Sequence, residues 1–115
     1  MSAALDNLIA RIGEEATLKL IEERGGREIY VPRDPKESSE LSRIIGLDAA
    51  IVLGQEFAGE AILVPLAREW RIVVYSRQGH KVPEIARLVG CTIGNVKNRR
   101  RQHALQQAQF DLFDR

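Results

Sequence analysis

Apolar and polar positions follow the same pattern twice in the first half of the chain. Residues 6–32, laid over residues 39–65 without a gap, give ten identities in 27 positions, whereas average residue usage predicts about two by chance. Nearly all of the identities are structural residue types, namely apolar residues, glycines and a proline. We therefore predict duplicated architecture rather than a duplicated active site. The identical pairs, 33 positions apart, are Leu8/Leu41, Ile12/Ile45, Gly13/Gly46, Ala16/Ala49, Leu20/Leu53, Glu23/Glu56, Gly26/Gly59, Ile29/Ile62, Val31/Val64 and Pro32/Pro65.

Each copy predicts a helix, a glycine, a short strand and a proline, in that order. About ten helix-favouring residues follow an Ile-Gly pair, with apolar positions at helical spacing. Gly26 and Gly59 are expected to end these helices, because glycine adopts the left-handed C-cap conformation without a Cβ clash. Residues 28–31 and 61–64 are predicted strands, each followed by a proline that lacks a backbone donor.

Two strands of four residues are too short to form a stable sheet alone. We expect them to pair with each other, and also with a second chain across a twofold axis, so that this half forms a homodimer. The alternative is a monomer whose helices cover both strands. A polar, proline-rich loop over residues 32–39 separates the two copies.

The second half predicts three amphipathic helices. In the first helix, Trp70, Val73 and Val74 are expected to face a core. A glycine and a histidine then interrupt the pattern, and Pro83 suits the first turn of the next helix. The predicted helices cover residues 68–78, residues 82–89 and residues 93 to about 108.

The spacing of small and apolar residues in this half is that of a helix-turn-helix motif. Ala86 allows two helices to cross closely, Gly90 supplies the tight turn, and Val96 points back into the small core. Cys91 is interpreted as a small hydrophobic residue of that core rather than a reactive thiol. The expected core residues are Ile85, Ala86, Val89, Gly90, Cys91 and Val96.

The third helix carries the candidate DNA contacts. Asparagine can read adenine, and lysine or arginine can read guanine. Thr92 is placed to cap the helix, whose N-terminus can meet a phosphate, and neighbouring basic residues position the protein on the DNA backbone. The residues expected on outward faces are Thr92, Ile93, Asn95, Lys97, Asn98 and Arg101. The further basic candidates are Arg99, Arg100 and Lys81, with Arg101 again.

Two residues depart from a typical recognition helix. Gly94 weakens the helix by about 1 kcal/mol relative to alanine. Arg99 occupies a position at which such motifs often bury an aliphatic side chain.

Charge distinguishes the two halves, although the whole chain of 115 residues has a net charge of only +1. Residues 1–66 contain 7 basic and 12 acidic side chains, a balance of −5, whereas residues 67–115 contain 10 basic and 4 acidic, a balance of +6. Such asymmetry between halves is typical of proteins that bind nucleic acid.

Composition narrows the class of protein further. The hydrophobic fraction of 44% argues against a disordered chain, and the apolar stretches are too short to span a bilayer. The N-terminus lacks the basic start and apolar run of a secretory signal. The single cysteine, Cys91, excludes an internal disulfide and a four-cysteine metal site. We expect a cytoplasmic protein of a reducing compartment.

Four segments together resemble the Mor/C family, the transcription activators of Mu-like bacteriophages and prophages. The resemblance covers about residues 5–101, and its most specific part is the Gly-Gly…Tyr-Val-Pro box. The segments are Ile12-Gly13-Glu14-Glu15-Ala16-Thr17-Leu18, Gly25-Gly26-Arg27-Glu28-Ile29-Tyr30-Val31-Pro32, Ile45-Gly46-Leu47-Asp48-Ala49-Ala50 and Glu84-Ile85-Ala86-Arg87-Leu88-Val89-Gly90.

The resemblance implies an intertwined N-terminal dimerisation domain and a C-terminal helix-turn-helix. It implies a homodimer that binds double-stranded DNA at an inverted-repeat promoter site and recruits RNA polymerase, in the nucleoid of a bacterial host cell. In such proteins the strand region and the linker also face DNA. By that analogy the candidate backbone contacts are Arg27, Tyr30, Arg33, Lys36 and Arg68; for Tyr30, an ordinary strand tyrosine is an equal alternative.

The C-terminal segment has a character of its own. Two of the three phenylalanines lie in the last six residues, and residues 109–113 resemble the peptide by which bacterial replication proteins bind the sliding clamp. Leu112 and Phe113 would fill an apolar pocket while Gln109 fixes the register by hydrogen bonds. Packing on the domain or the dimer, and a contact with polymerase, are the alternatives. The motif residues are Gln109, Asp111, Leu112 and Phe113.

No catalytic site, metal or cofactor is expected. His80 and His103, the two histidines, have no metal-ligand partner at helical spacing, and the glycines are spaced wrongly for a nucleotide loop. His80 is interpreted as a turn residue, with contact to a DNA phosphate as its one candidate function. Two functions remain, a sequence-specific transcription regulator and an adaptor that uses DNA only as an anchor.

The predicted fold class is mainly α with a small β element, an α+β protein. A dimerisation domain of helix–Gly–strand repeats is expected over residues 1–66, and a helix-turn-helix domain over residues 67–104. A C-terminal tail is expected over residues 105–115.

Overall fold

A computed structural model describes the backbone of residues 3–113 and the side chains of residues 3–109. These residues are mainly helical with a small two-stranded antiparallel sheet, which confirms the α+β class. The chain divides into two compact units, Met1–Ala67 and Arg68–Arg115. The elements, in chain order, are α1 (Ala3–Arg24), β1 (Glu28–Val31), α2 (Glu40–Ile45), α3 (Leu47–Phe57), β2 (Glu60–Leu63), α4 (Arg68–Arg77), α5 (Val82–Val89) and α6 (Ile93–Phe113).

Two glycines give the two sequence copies the same backbone path. Gly13 interrupts α1 at φ 85° and ψ 168°, and Gly46 separates α2 from α3 at φ 91° and ψ 155°. A residue with a Cβ rarely adopts either conformation. Helix α1 is therefore two helical segments joined at Gly13, and these segments correspond to α2 and α3.

The strands pair as the duplication predicts, and they pair symmetrically. Ile29 of β1 lies opposite Ile62 of β2, its own equivalent in the other copy. The N–H of Gly26 donates to the carbonyl of Val64 over 2.8 Å, and the equivalent N–H of Gly59 donates to the carbonyl of Val31 over 2.7 Å. Reciprocal hydrogen bonds of this kind mean that the two copies are related by an approximate internal twofold axis, which passes between Ile29 and Ile62.

Strand β2 begins and ends one residue earlier than the predicted range 61–64, because Glu60 pairs with Val31. Val64 lies just beyond the strand but still donates its N–H to the carbonyl of Arg27 over 2.8 Å. The backbone pairing thus continues past the assigned end of β2.

The core of the first unit is built from equivalent residues of the two copies. In both copies the helices turn one apolar face inward, because their apolar residues recur at the spacing of a helical turn. One face of the sheet covers this core, whereas Tyr30 and Leu63 on the other face remain 58% and 66% exposed. The buried pairs that are identical in the two copies are Leu8/Leu41, Leu20/Leu53 and Val31/Val64, and Thr17/Ala50 is a buried pair of different residues.

The second unit buries one face of each of its three helices. Trp70 and Val74 are buried as predicted, but Val73 is only half-buried. Val73 lies about a quarter turn from Val74 around α4, which puts it at the edge of the buried face. The core positions that the prediction missed on α4 are Arg71, Ile72 and Tyr75.

Helix α6 extends beyond the predicted end near Ala108, since it continues to Phe113. Alanine, glutamine and leucine dominate residues 102–109, and all favour helix. The backbone of residues 105–113 is therefore helical rather than an irregular tail. None of the helices described in residues 3–113 combines the length and apolarity needed to cross a membrane.

Candidate nucleic-acid interface

The turn between α5 and α6 is closed by a left-handed glycine. Gly90 has φ 76° and ψ 43°, and its N–H donates to the carbonyl of Ala86 over 2.9 Å. The N–H of Cys91 donates to the same carbonyl over 3.0 Å. Two bonds to one carbonyl redirect the chain within a single turn, which confirms the tight turn predicted at Gly90.

Four of the six residues assigned to the helix-turn-helix core are buried. Ile85 and Val96 are fully buried, and Ala86 and Val89 are 7% and 5% exposed. Cys91, predicted as a core residue, is only half-buried, and Gly90, predicted as the turn glycine, is exposed. Both lie in the turn itself, where the chain leaves the core.

Helix α6 begins at a capped N-terminus. The N–H of Asn95 donates to Thr92 Oγ1 over 3.1 Å, as expected for a threonine N-cap. The first turn contains no acidic residue. The positive end of the helix dipole and its free N–H groups are therefore accessible to an anion such as a phosphate.

Helical geometry groups the outward residues of α6 opposite Val96. At 100° per residue, Asn98 and Arg101 lie within about 40° of the direction opposite Val96, and Asn95 and Lys97 lie on the two flanks. All four side chains are exposed, as is Ile93 at 46%. Amide, ammonium and guanidinium groups thus lie together on one solvent-facing surface. We call Asn95, Lys97, Asn98 and Arg101 the outer face of α6.

The three consecutive arginines of α6 point in different directions. Arg99 turns toward α4, where its Nη2 pairs with Glu69 Oε1 over 2.7 Å and its Nη1 donates to Gln102 Oε1 over 3.0 Å. Arg99 thus carries an ion-paired guanidinium at a position where helix-turn-helix motifs often bury an aliphatic side chain. Arg101 alone of the three belongs to the outer face.

Arg100 also faces α4 rather than the outer face. It lines a small cavity of about 200 Å³ between α4 and α6. The other lining residues are Val73, Ser76, Arg77 and His103.

The remaining DNA candidates belong to different parts of the chain. Arg68 begins α4 and Lys81 is the N-cap of α5, and both are exposed. Tyr30, Arg33, Arg27 and Lys36 are exposed in the first unit. The guanidinium of Arg33 covers Gly59, with Nε 3.0 Å from the position a Cβ would take there.

Sequence reasoning missed a buried arginine that joins α4 to α5. Arg71 is 9% exposed, its Nη2 donates to the carbonyl of Leu88 over 2.8 Å, and its guanidinium carbon lies 5.8 Å from the centre of the Tyr75 ring. The Tyr75 ring meets His80 edge-on at 5.5 Å, and His80 Nδ1 lies 3.1 Å from Glu84 Oε1. Nothing in the local pattern distinguishes Arg71 from an exposed arginine.

Two observations concern the possible metal ligands and the C-terminal motif. Within the described residues, no group of three or more histidine, cysteine or acidic side chains is placed to hold a metal ion. Gln109, the first residue of the tail motif, is exposed on α6. The side chains of Asp111, Leu112 and Phe113 lie outside the described residues.

The chain was compared with protein-family models, with curated proteins and with solved structures. None of the three comparisons found a match.

Proposed function

We propose that this protein is a sequence-specific regulator of transcription that binds double-stranded DNA through α6. The observation that carries the proposal is the outer face of α6, which presents two asparagines and two basic residues on a helix held by a capped start and a glycine turn. A helix fits the major groove, where asparagine pairs with adenine and lysine or arginine with guanine. Asn95, Lys97, Asn98 and Arg101 are the base-reading residues in this proposal.

Contacts to the DNA backbone come from the surrounding basic residues. The N-terminus of α6 at Thr92, the exposed Lys81 beside α5 and the exposed Arg68 would meet phosphates. Arg100 adds positive charge from the α4 side. The charge balance of +6 over residues 67–115 supports this assignment.

The protein acts as a homodimer in this proposal and belongs with the Mor/C activators of phages and prophages. This assignment is supported by the four segments that resemble the Mor/C family and by the duplicated helix–Gly–strand unit. A dimer of helix-turn-helix proteins reads two half-sites about one helical turn apart or a multiple of it, which matches an inverted repeat. If the protein is such an activator, it recruits RNA polymerase to the promoter in the cytoplasm of a bacterial cell.

Selection of binding sites from a random DNA pool tests the proposal. We expect enrichment of a twofold-symmetric site, bound about a thousandfold more tightly than random duplex. A specificity ratio near one would overturn the regulator and favour the adaptor.

The second candidate function is a DNA-anchored adaptor that binds another factor through the end of α6. Its support is the exposure of all side chains of residues 104–109 on a helix that continues to Phe113. The bacterial sliding clamp is the candidate partner, because residues 109–113 resemble its peptide ligands. Titration of the wild-type segment with purified clamp tests this function, and no binding at tens of micromolar would exclude it.

A further inference from the structure

A groove of about 460 Å³ in the first unit is lined by equivalent residues of the two copies. The internal twofold that relates the strands therefore also relates the two walls of this groove, one from α1 and the other from α2 and α3. Eight of the nine lining residues form four pairs 33 positions apart, of which three join residues alike in kind and Lys19/Val52 does not. The three alike pairs are Ile12/Ile45, Ala16/Ala49 and Glu15/Asp48.

The floor of the groove is apolar and incompletely covered. Ile12, Ala16, Ala49 and Val52 are half-buried, and Ile45 is 9% exposed. The small side chains of the two alanines allow side chains of another helix to approach the backbone of the groove closely. Apolar surface of this kind gains free energy when a partner removes it from water.

We infer that this groove is where a second copy of the chain docks. A partner that fits both walls equally must itself have twofold symmetry about the groove, and a second copy of the same groove has that symmetry. In a twofold dimer each chain presents the same patch to the other. The inference rests on the proposed homodimer and names the surface that forms it.

The charges around the groove suit a second copy as the occupant. The acidic Glu15 and Asp48 and the basic Arg11 and Lys19 line its edges. Arg11 already pairs with Glu56 within the chain, so Lys19 is the base at the edge that can face Asp48 of a second copy. Lys19 Nζ and Glu15 Oε1 lie 3.5 Å apart within one chain, and their side chains are 56% and 88% exposed.

The outer sheet face is the competing surface for the dimer. Glu28 lies opposite Leu63 and Tyr30 opposite Ala61, so these four side chains share one face. The charged residue of that face is Glu28, and a dimer formed there would bury its carboxylate unless a basic side chain met it. The groove carries its charged residues around an apolar floor.

Sedimentation equilibrium of the full chain across micromolar concentrations tests the inference. We expect the wild type to be dimeric, and Ala16→Lys or Ala49→Lys to raise the dimer dissociation constant about 100-fold, because a lysine would be buried without a partner. Ala10→Lys is the matched control, an exposed position of α1 outside the groove. It should leave the dimer intact.

A second variant avoids the risk that a groove lysine unfolds the protein. Glu15→Lys with Asp48→Lys changes two exposed edge residues and gives facing grooves like charges, so we expect a weaker dimer with an unchanged circular dichroism spectrum. A monomeric wild type, a folded groove variant that stays dimeric, or loss of the dimer in Leu63→Lys would each overturn the inference. Binding of the same proteins to a half-site duplex is measured in parallel. A monomer that binds the half-site specifically refutes the homodimer and its surface but leaves DNA recognition through α6 standing, whereas a groove dimer without DNA specificity refutes the proposed DNA recognition and leaves the dimer surface standing.

Discussion

The guanidinium of Arg71 on α4 donates a hydrogen bond to the carbonyl oxygen of Leu88 on α5 over 2.8 Å. Leu88 is in the last turn of α5, where helix carbonyls lack partners within the helix and carry partial negative charge. One buried arginine thus holds the end of α5 that leads into the turn at Gly90.

Replacing Arg71 with alanine should lower the free energy of unfolding of the second unit by about 2 kcal/mol, since a buried carbonyl loses its charged donor. Trp70, the single tryptophan, is buried in the same unit and reports its unfolding by fluorescence in urea. Arg87→Ala on the exposed side of α5 is the control and should change stability by less than about 0.5 kcal/mol. Equal effects of the two substitutions would mean that the bond to Leu88 contributes nothing.

Replacing a glycine with alanine should destabilise this protein at some positions and stabilise it at another. Gly13→Ala and Gly46→Ala should each destabilise the first unit by about 1–3 kcal/mol, because their positive φ is strained for alanine. Gly94→Ala should stabilise α6 by up to about 1 kcal/mol, because Gly94 is helical and a Cβ there would make only an ordinary contact, 3.9 Å from Thr92 Oγ1. Thermal unfolding followed by circular dichroism measures all three. Stabilisation by Gly13→Ala would contradict the interrupted α1.

Loss of the N-cap at Thr92 should weaken α6 and its contact with DNA. Thr92→Ala should cost about 1 kcal/mol of stability, because the N–H of Asn95 loses its acceptor. Affinity for the selected DNA site should fall as well. Thr92→Ser keeps the hydroxyl and should retain both properties, measured by urea unfolding and by fluorescence anisotropy with labelled duplex.

Substitutions on the outer face of α6 should relax sequence preference. Lys97→Ala and Asn98→Ala should each reduce discrimination at one base pair by about 1–3 kcal/mol. Arg100→Ala should weaken binding evenly across sequences, as expected for a residue off the outer face. Gel-shift titration with the selected site and its single-base variants measures both effects. Uniform losses from all three variants would contradict the assignment of base readers.

Arg99 and Arg101 should differ although they are two residues apart. Arg101→Ala should lower affinity for the selected site more than Arg99→Ala, because the guanidinium of Arg99 pairs with Glu69. Arg99→Ala should instead cost stability by at most about 1 kcal/mol, since the pair is partly exposed. Affinity and urea titrations on the same two variants separate these outcomes, and a larger affinity loss for Arg99→Ala would refute the distinction.

The sequence pattern predicted local features well. The pairing of the two copies, the turn at Gly90, the cap at Thr92 and the inward direction of Val96 all follow from spacing and residue type. The pattern was less accurate for the ends of helices and for residues at the boundary of the core. Val73 and Cys91 are only half-buried, and α6 continues past Ala108, because partial burial and helix ends depend on neighbouring elements.

The sequence by itself determined the duplication, the class of fold and the inward faces of α5 and the start of α6, because residue spacing sets where side chains point around their own helix. Tertiary structure decided which polar side chains have partners. It buried Arg71, directed Arg99 to Glu69, and left Arg101 on the outer face. It also put Ile12 and Ile45 in one groove. These outcomes depend on what an adjacent helix presents, and periodicity within one helix carries no information about its neighbour.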